Sequence, residues 1–98
     1  MENKAGGMGL VLVVDDLVEN CMVLKGFIKP LGFDVIVAHS GEEALEKIEA
    51  QPPDIILLDL MIPGMSGFEV TERLKENPDT RHIPVIIVTG LSDPEANV

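Results

Sequence analysis

The chain of 98 residues is long enough for one small domain. Its formal net charge of -10, from 17 acidic and 7 basic residues, argues against direct binding to nucleic-acid phosphates or an anionic membrane surface and suits binding of a cation. The 46% hydrophobic content supports a core, mostly aliphatic because all three aromatic residues are Phe, and the single cysteine, Cys21, excludes an internal disulfide and a Cys-based zinc cluster.

Met1 to Gly9 is polar and glycine-rich, and predicts a flexible tail over 1–9 ahead of a domain over 10–98. It has no apolar stretch of signal-peptide type, and no run of the chain has membrane-spanning length, so a cytoplasmic protein is expected. Leu10 to Val14 is short, apolar and β-branched, and predicts the first strand; it ends in Asp15 and Asp16. Leu17, Cys21, Leu24, Ile28 and Leu31 recur at helical spacing and predict the inner stripe of a first helix. Pro30 should end or kink that helix. Val35 to Ala38 predicts a second strand, and Ser40-Gly41-Glu42-Glu43 has capping-box spacing before a second helix that buries Ala44, Leu45 and Ile48.

Asp54 to Leu58 is an unbroken apolar run after its first residue, reaches Asp59, and breaks at Pro63-Gly64. Such a run bounded by turn residues reads as a strand buried on both faces. A third helix is predicted from Gly67 to Asn77, with Phe68, Val70, Thr71 and Leu74 inward, then a turn at Asn77-Pro78-Asp79. Pro84 to Val88 predicts a fourth strand with Thr89 and Gly90 at its carboxyl end. Ser92-Asp93-Pro94-Glu95 predicts one more helix start, about one turn before Val98. Alternation of strands and helices predicts an α/β fold with a parallel sheet.

In such a sheet the carboxyl ends of the strands share one edge, where ligands bind. If the first and third strands are neighbours, Asp15, Asp16 and Asp59 converge there. Carboxylates that close raise one another's pKa, and a hard cation such as Mg²⁺ removes the conflict. Asp59 then becomes a candidate carboxylate nucleophile toward a phosphoryl group, with Thr89 as a hydrogen-bond donor to it. Taken singly, Asp16 also fits the N-cap of the first helix, with Glu19 three residues on, whereas Asp15 has no comparable capping role. His39 and His82 lack metal-ligand spacing and read as surface or loop residues; Cys21 reads as a small core residue.

Val13-Val14-Asp15-Asp16, the turn from Asp59 through Pro63-Gly64-Met65-Ser66-Gly67, and Val88-Thr89-Gly90, in this order, resemble the receiver domain of two-component response regulators. The resemblance runs from about Leu10 to Val98. It implies a flavodoxin-like sheet of order 2-1-3-4. It implies Mg²⁺ bound by Asp15, Asp16, Asp59 and the Met61 carbonyl. It further implies phosphorylation of Asp59 by a histidine kinase or phosphotransfer protein, and Thr89 as the switch hydroxyl. Receivers of this kind continue through a fifth strand bearing a lysine. The expectation is therefore a truncated receiver, impaired in phosphorylation, in which an exposed fourth strand promotes homo-oligomers. Such a chain is a phosphoacceptor signalling domain and not an enzyme. The alternative is a pseudo-receiver or oligomerising interaction fragment without phosphotransfer. An aspartyl phosphatase is disfavoured, because the second aspartate it would carry two residues on is here Met61.

Overall fold

A computed structural model describes residues 8–88. The tail over Met1 to Gly7, Thr89, Gly90 and the helix start at Ser92 lie outside the described residues. The elements run β1 (Leu10–Val14), α1 (Val18–Ile28), a 3₁₀ turn (Lys29–Leu31), β2 (Asp34–Ala38), α2 (Gly41–Ala50), β3 (Ile55–Leu58), α3 (Gly67–Glu76) and β4 (Val85–Ile87). The strands form one parallel sheet in the order β2-β1-β3-β4, so the chain has the flavodoxin-like architecture expected from sequence. Hydrogen bonding starts slightly before β1, because Met8 N donates to Gly32 O and Gly9 O accepts from Asp34 N.

The sheet is covered on both faces, which is why its central strand is apolar at every position. All five residues of β1 are buried. Side chains alternate across a strand, so Leu12 and Val14 join Ile56 and Leu58 on one face, where Ala44 and Ile48 of α2 and Val70 and Leu74 of α3 pack. Val11 and Val13 point the other way, against Cys21, Leu24 and Ile28 of α1.

Three sequence expectations need correction. Phe68 is 69% exposed and not part of the inner face of α3. Because α3 begins at Gly67, the inward positions are Gly67, Val70 and Leu74, and Phe68 lies one residue round the helix from them. Leu17 precedes α1 and Leu31 follows it, and both are exposed. The reason for the second is Pro30: α1 stops at Ile28, and the tighter 3₁₀ turn carries Leu31 off the helical stripe. Exposed apolar side chains of α1, among them Met22, Val23 and Phe27, lie outside its inner stripe of Cys21, Leu24 and Ile28.

Ile56 is fully buried between β1 and the helices α2 and α3. Ile56→Ala is expected to destabilise the chain by about 2–5 kcal/mol, as large-to-small core changes do, read from the shift of the urea midpoint. A midpoint unchanged from wild type would contradict this packing.

Candidate functional site

β1 leads through α1 to β2 on one side, whereas β3 joins it on the other side and the connection through α2 covers the opposite face. The winding therefore reverses between β1 and β3. In open α/β sheets the crevice at this switch point, outside the carboxyl ends of the strands, is the ligand site. Val14 pairs with Leu58, so Asp15 and Asp59 leave the sheet side by side, and Asp59 N donates to Val14 O at 3.0 Å.

Asp15, Asp16 and Asp59 each bring one carboxylate oxygen within 4.8 Å of the others. Asp15 and Asp59 are both 1% exposed. Asp15 is held at both oxygens: Oδ1 accepts from Leu17 N at 2.9 Å and Oδ2 from Asn20 Nδ2 at 3.1 Å. Asp59 Oδ1 accepts from Met61 N at 2.9 Å, which fixes the rotation of that carboxylate. Asp16 Oδ1 is buried and has no hydrogen-bond partner.

The local sequence explains how these groups are held. The turn after Asp59 must bring the start of α3 onto the end of β3. Gly64 takes a left-handed φ of 78°, which a side chain would strain. At Gly67 a Cβ would sit 2.8 Å from Asp59 O and from Leu60 Cα, so only glycine lets α3 approach this closely. Ser66 caps α3 by accepting from Glu69 N. The side chain of Met61 is 64% exposed, and its described part in the site is the backbone N–H.

Capping differs from expectation. Asp16 does not cap α1; the N-cap position is Leu17, with no side-chain bond, and it is Asp15 that accepts from the Leu17 amide. The chain turns immediately after Asp15, so the first of the two carboxylates is the one that folds back onto the helix entry. His39 lies in the loop after β2, as its sequence suggested, but is not simply exposed there. It is half-buried, and Nδ1 lies 3.0 Å from Asp15 O. Asn20 and His39 were missed as parts of the site because each reaches Asp15 through tertiary contact or a helical turn, and neither carries a spacing signal of its own. Thr89 and Gly90 lie outside the described residues.

Charge in the site is strongly like-signed. Two charged carboxylate oxygens within 4.8 Å of each other repel by at least about 3 kcal/mol at an effective dielectric of about 20. Burial pushes the Asp15 carboxyl above its usual range, opposed by the hydrogen bonds from Leu17 and Asn20 and reinforced by Asp59 and Asp16. Burial, with Asp15 nearby, also pushes the Cys21 thiol up to about 11, as suits an inert core cysteine. An acidic oxygen set with one buried, unpartnered oxygen fits a hard divalent cation such as Mg²⁺.

Comparison with known proteins agrees with this geometry. The response regulator receiver domain model matches residues 11–98. The response regulator PleD of Caulobacter vibrioides is 46% identical over 81 residues, covering 83% of this chain and 18% of that protein. The polar-differentiation response regulator DivK of Brucella ovis is 40% identical over 82 residues, covering 84% of this chain and 67% of the relative. Among solved structures, the N-terminal domain of a response regulator receiver protein from Methanoculleus marisnigri JR1 superposes with a TM-score of 0.81 at 43% identity, over 92% of this chain and 75% of that one. The chain belongs to the response regulator receiver domain family, a signalling module of two-component systems. It spans less than a fifth of the length of PleD. No described helix is long and apolar enough to cross a membrane.

The loop from β2 into α2 offers a test of the local electrostatics. Ser40 Oγ accepts from Glu43 N at 3.1 Å, and Glu43 Oε1 reaches past Ser40 to accept from His39 N at 2.8 Å. The bond from His39 and then the pairing with Lys47 hold the Glu43 carboxyl below its usual range. A depressed folded pKa means the contribution is fully present above the unfolded value of about 4.3 and is lost as pH falls through the lower folded value. Wild type should therefore exceed Glu43→Gln in urea midpoint near neutrality, with the two converging in acid. A gap that persists unchanged through the acid range would count against this role for Glu43.

Proposed function

We propose that Asp59 accepts a phosphoryl group from the phosphohistidine of a histidine kinase or phosphotransfer protein in the cytoplasm. The observation that carries this reading is the convergence of Asp15 and Asp16 on Asp59 at the β1–β3 switch point. An Asp59 oxygen forms the new O–P bond as the P–N bond breaks, and the electron pair of that bond stays on the imidazole nitrogen. The product is an acyl phosphate on Asp59.

Asp15, Asp16, Asp59 and the Met61 carbonyl are the residues that would hold Mg²⁺, which when bound offsets the negative charge of the carboxylates and the transferred group. Met61 N–H keeps the Asp59 carboxylate in one orientation. Asn20 and Leu17 keep Asp15 turned into the cluster. Thr89 is the hydroxyl assigned to the phosphoryl oxygens after transfer. Lys47 donates to Val37 O and pairs with Glu43, and Lys75 donates to Arg81 O, so neither is directed at Asp59. On this reading, a 98-residue chain in which no lysine reaches Asp59 gains phosphate with lower yield than receivers that supply one.

The test is incubation with acetyl phosphate and Mg²⁺, read by intact mass. Wild type should gain one phosphate, whereas Asp59→Asn and metal-free samples gain none and Asp16→Asn gains less. Equal incorporation into Asp59→Asn would sink the assignment. Failure of wild type to respond to Mg²⁺ or to phosphodonor would favour a pseudo-receiver.

A second copy of the chain is a further proposed partner. β4 is the outer strand of the described sheet, and Ile86 and Ile87 are 50% and 42% exposed. Exposed apolar edges invite strand pairing. Light scattering should show the 98-residue chain shifting from monomer to dimer as concentration rises, and Ile86→Lys should hold it monomeric. A monomer at all concentrations would exclude this interface.

A further inference from the structure

We infer that His39 is a positioning residue for the acidic pair, holding the peptide that joins Asp15 to Asp16 through a hydrogen bond from its Nδ1–H to the Asp15 carbonyl. The inference rests on the reading of Asp15 and Asp16 as cation ligands, and adds a residue that no motif assigned to the site.

The ladder between β1 and β2 supplies the reason. Asp34 N donates to Gly9 O at one end, and at the other Asp15 N donates to Ala38 O at 3.0 Å. In a parallel ladder the next bond would run from the N–H of Ser40 to the Asp15 carbonyl. Ser40 is instead the N-cap of α2, with its side chain accepting from Glu43 N. The Asp15 carbonyl is left at the point where the strands part, beside two carboxylates. The His39 imidazole meets it, Nδ1 to O, at 3.0 Å.

A carbonyl oxygen only accepts, so the ring nitrogen facing it carries the proton. Cys21 Sγ lies 3.5 Å from the same oxygen and is a weak donor, which leaves the imidazole as the main hold on this carbonyl. His39 is itself fixed from behind, because its backbone N–H is bound by Glu43 Oε1 at 2.8 Å. Turning the Asp15–Asp16 peptide would move both carboxylates, since Asp15 hangs from one end of it and Asp16 from the other. His39 therefore acts on the cation site from outside, as a hydrogen-bonded support of the ligand-bearing backbone.

Asn carries its amide nitrogen at the same distance along the side chain as His Nδ1, so His39→Asn keeps a donor, whereas His39→Phe keeps the ring and loses it. In the metal-free, ¹⁵N-labelled chain at mildly alkaline pH, long-range ¹H–¹⁵N correlation should show His39 as the Nδ1–H tautomer. The Nε2–H tautomer would overturn the proposal. Mg²⁺ titration followed at the Asp15, Asp16 and Leu17 amides should give wild type and His39→Asn similar affinities and His39→Phe about tenfold weaker binding. If wild type binds and His39→Phe binds equally well, His39 has no positioning role. If wild type itself does not bind Mg²⁺, the cation reading fails. The tautomer, with the Asp15 carbonyl ¹³C shift on going to His39→Phe, then decides the hydrogen bond separately. Should His39→Phe not fold, the wild-type tautomer and the affinity of His39→Asn decide.

Discussion

The pairing of Val14 with Leu58 is the constraint on which the rest of the molecule depends. It places two strand ends side by side, and both strands are followed at once by aspartate. A shift of register by one residue would turn every side chain of β3 to the other face, exchanging Ile56 and Leu58 with their neighbours. The core between β1, β3, α2 and α3 would be lost together with the carboxylate cluster. Core and site are thus consequences of one register.

That arrangement has an electrostatic cost that the surrounding chain only partly offsets. Asp15 receives hydrogen bonds at both oxygens, yet its carboxyl remains pushed up by burial. Asp16 has a buried oxygen with no hydrogen-bond partner. Satisfying every group inside the protein would have closed the cluster to an outside ligand. The fold instead concentrates negative charge at one edge of the sheet, an arrangement that suits the cation proposed above.

Most of the architecture was legible from the sequence because its signals are local. The apolar run of Leu10 to Val14 needed no correction as a strand, and Pro30 marked the end of α1. The bend after Asp59 was legible for the same reason, since its glycines are demanded by a left-handed φ and by a close backbone approach. What was misread or left unseen depended on the helix start or on a neighbour. Phe68 has the chemistry of a core residue but the wrong phase on α3. His39 lacks ligand spacing, and only the parting of β1 and β2 brings its ring to Asp15. Asp54, read as the first residue of a strand, also accepts from Leu10 N at 2.7 Å and joins the starts of β1 and β3.

The sequence by itself determined the alternation of elements, the apolar character of the central strands and the presence of carboxylates at their ends. These follow from periodicity and turn chemistry, which act over a few residues. Only the tertiary structure decided which carboxylate does what. Asp15, not Asp16, folds back onto the entry to α1, and the orphaned oxygen belongs to Asp16. That division depends on where the peptide between them turns after leaving the sheet. Its orientation is set by β2, the loop at His39 and α1 together, none of which a run of neighbouring residues encodes.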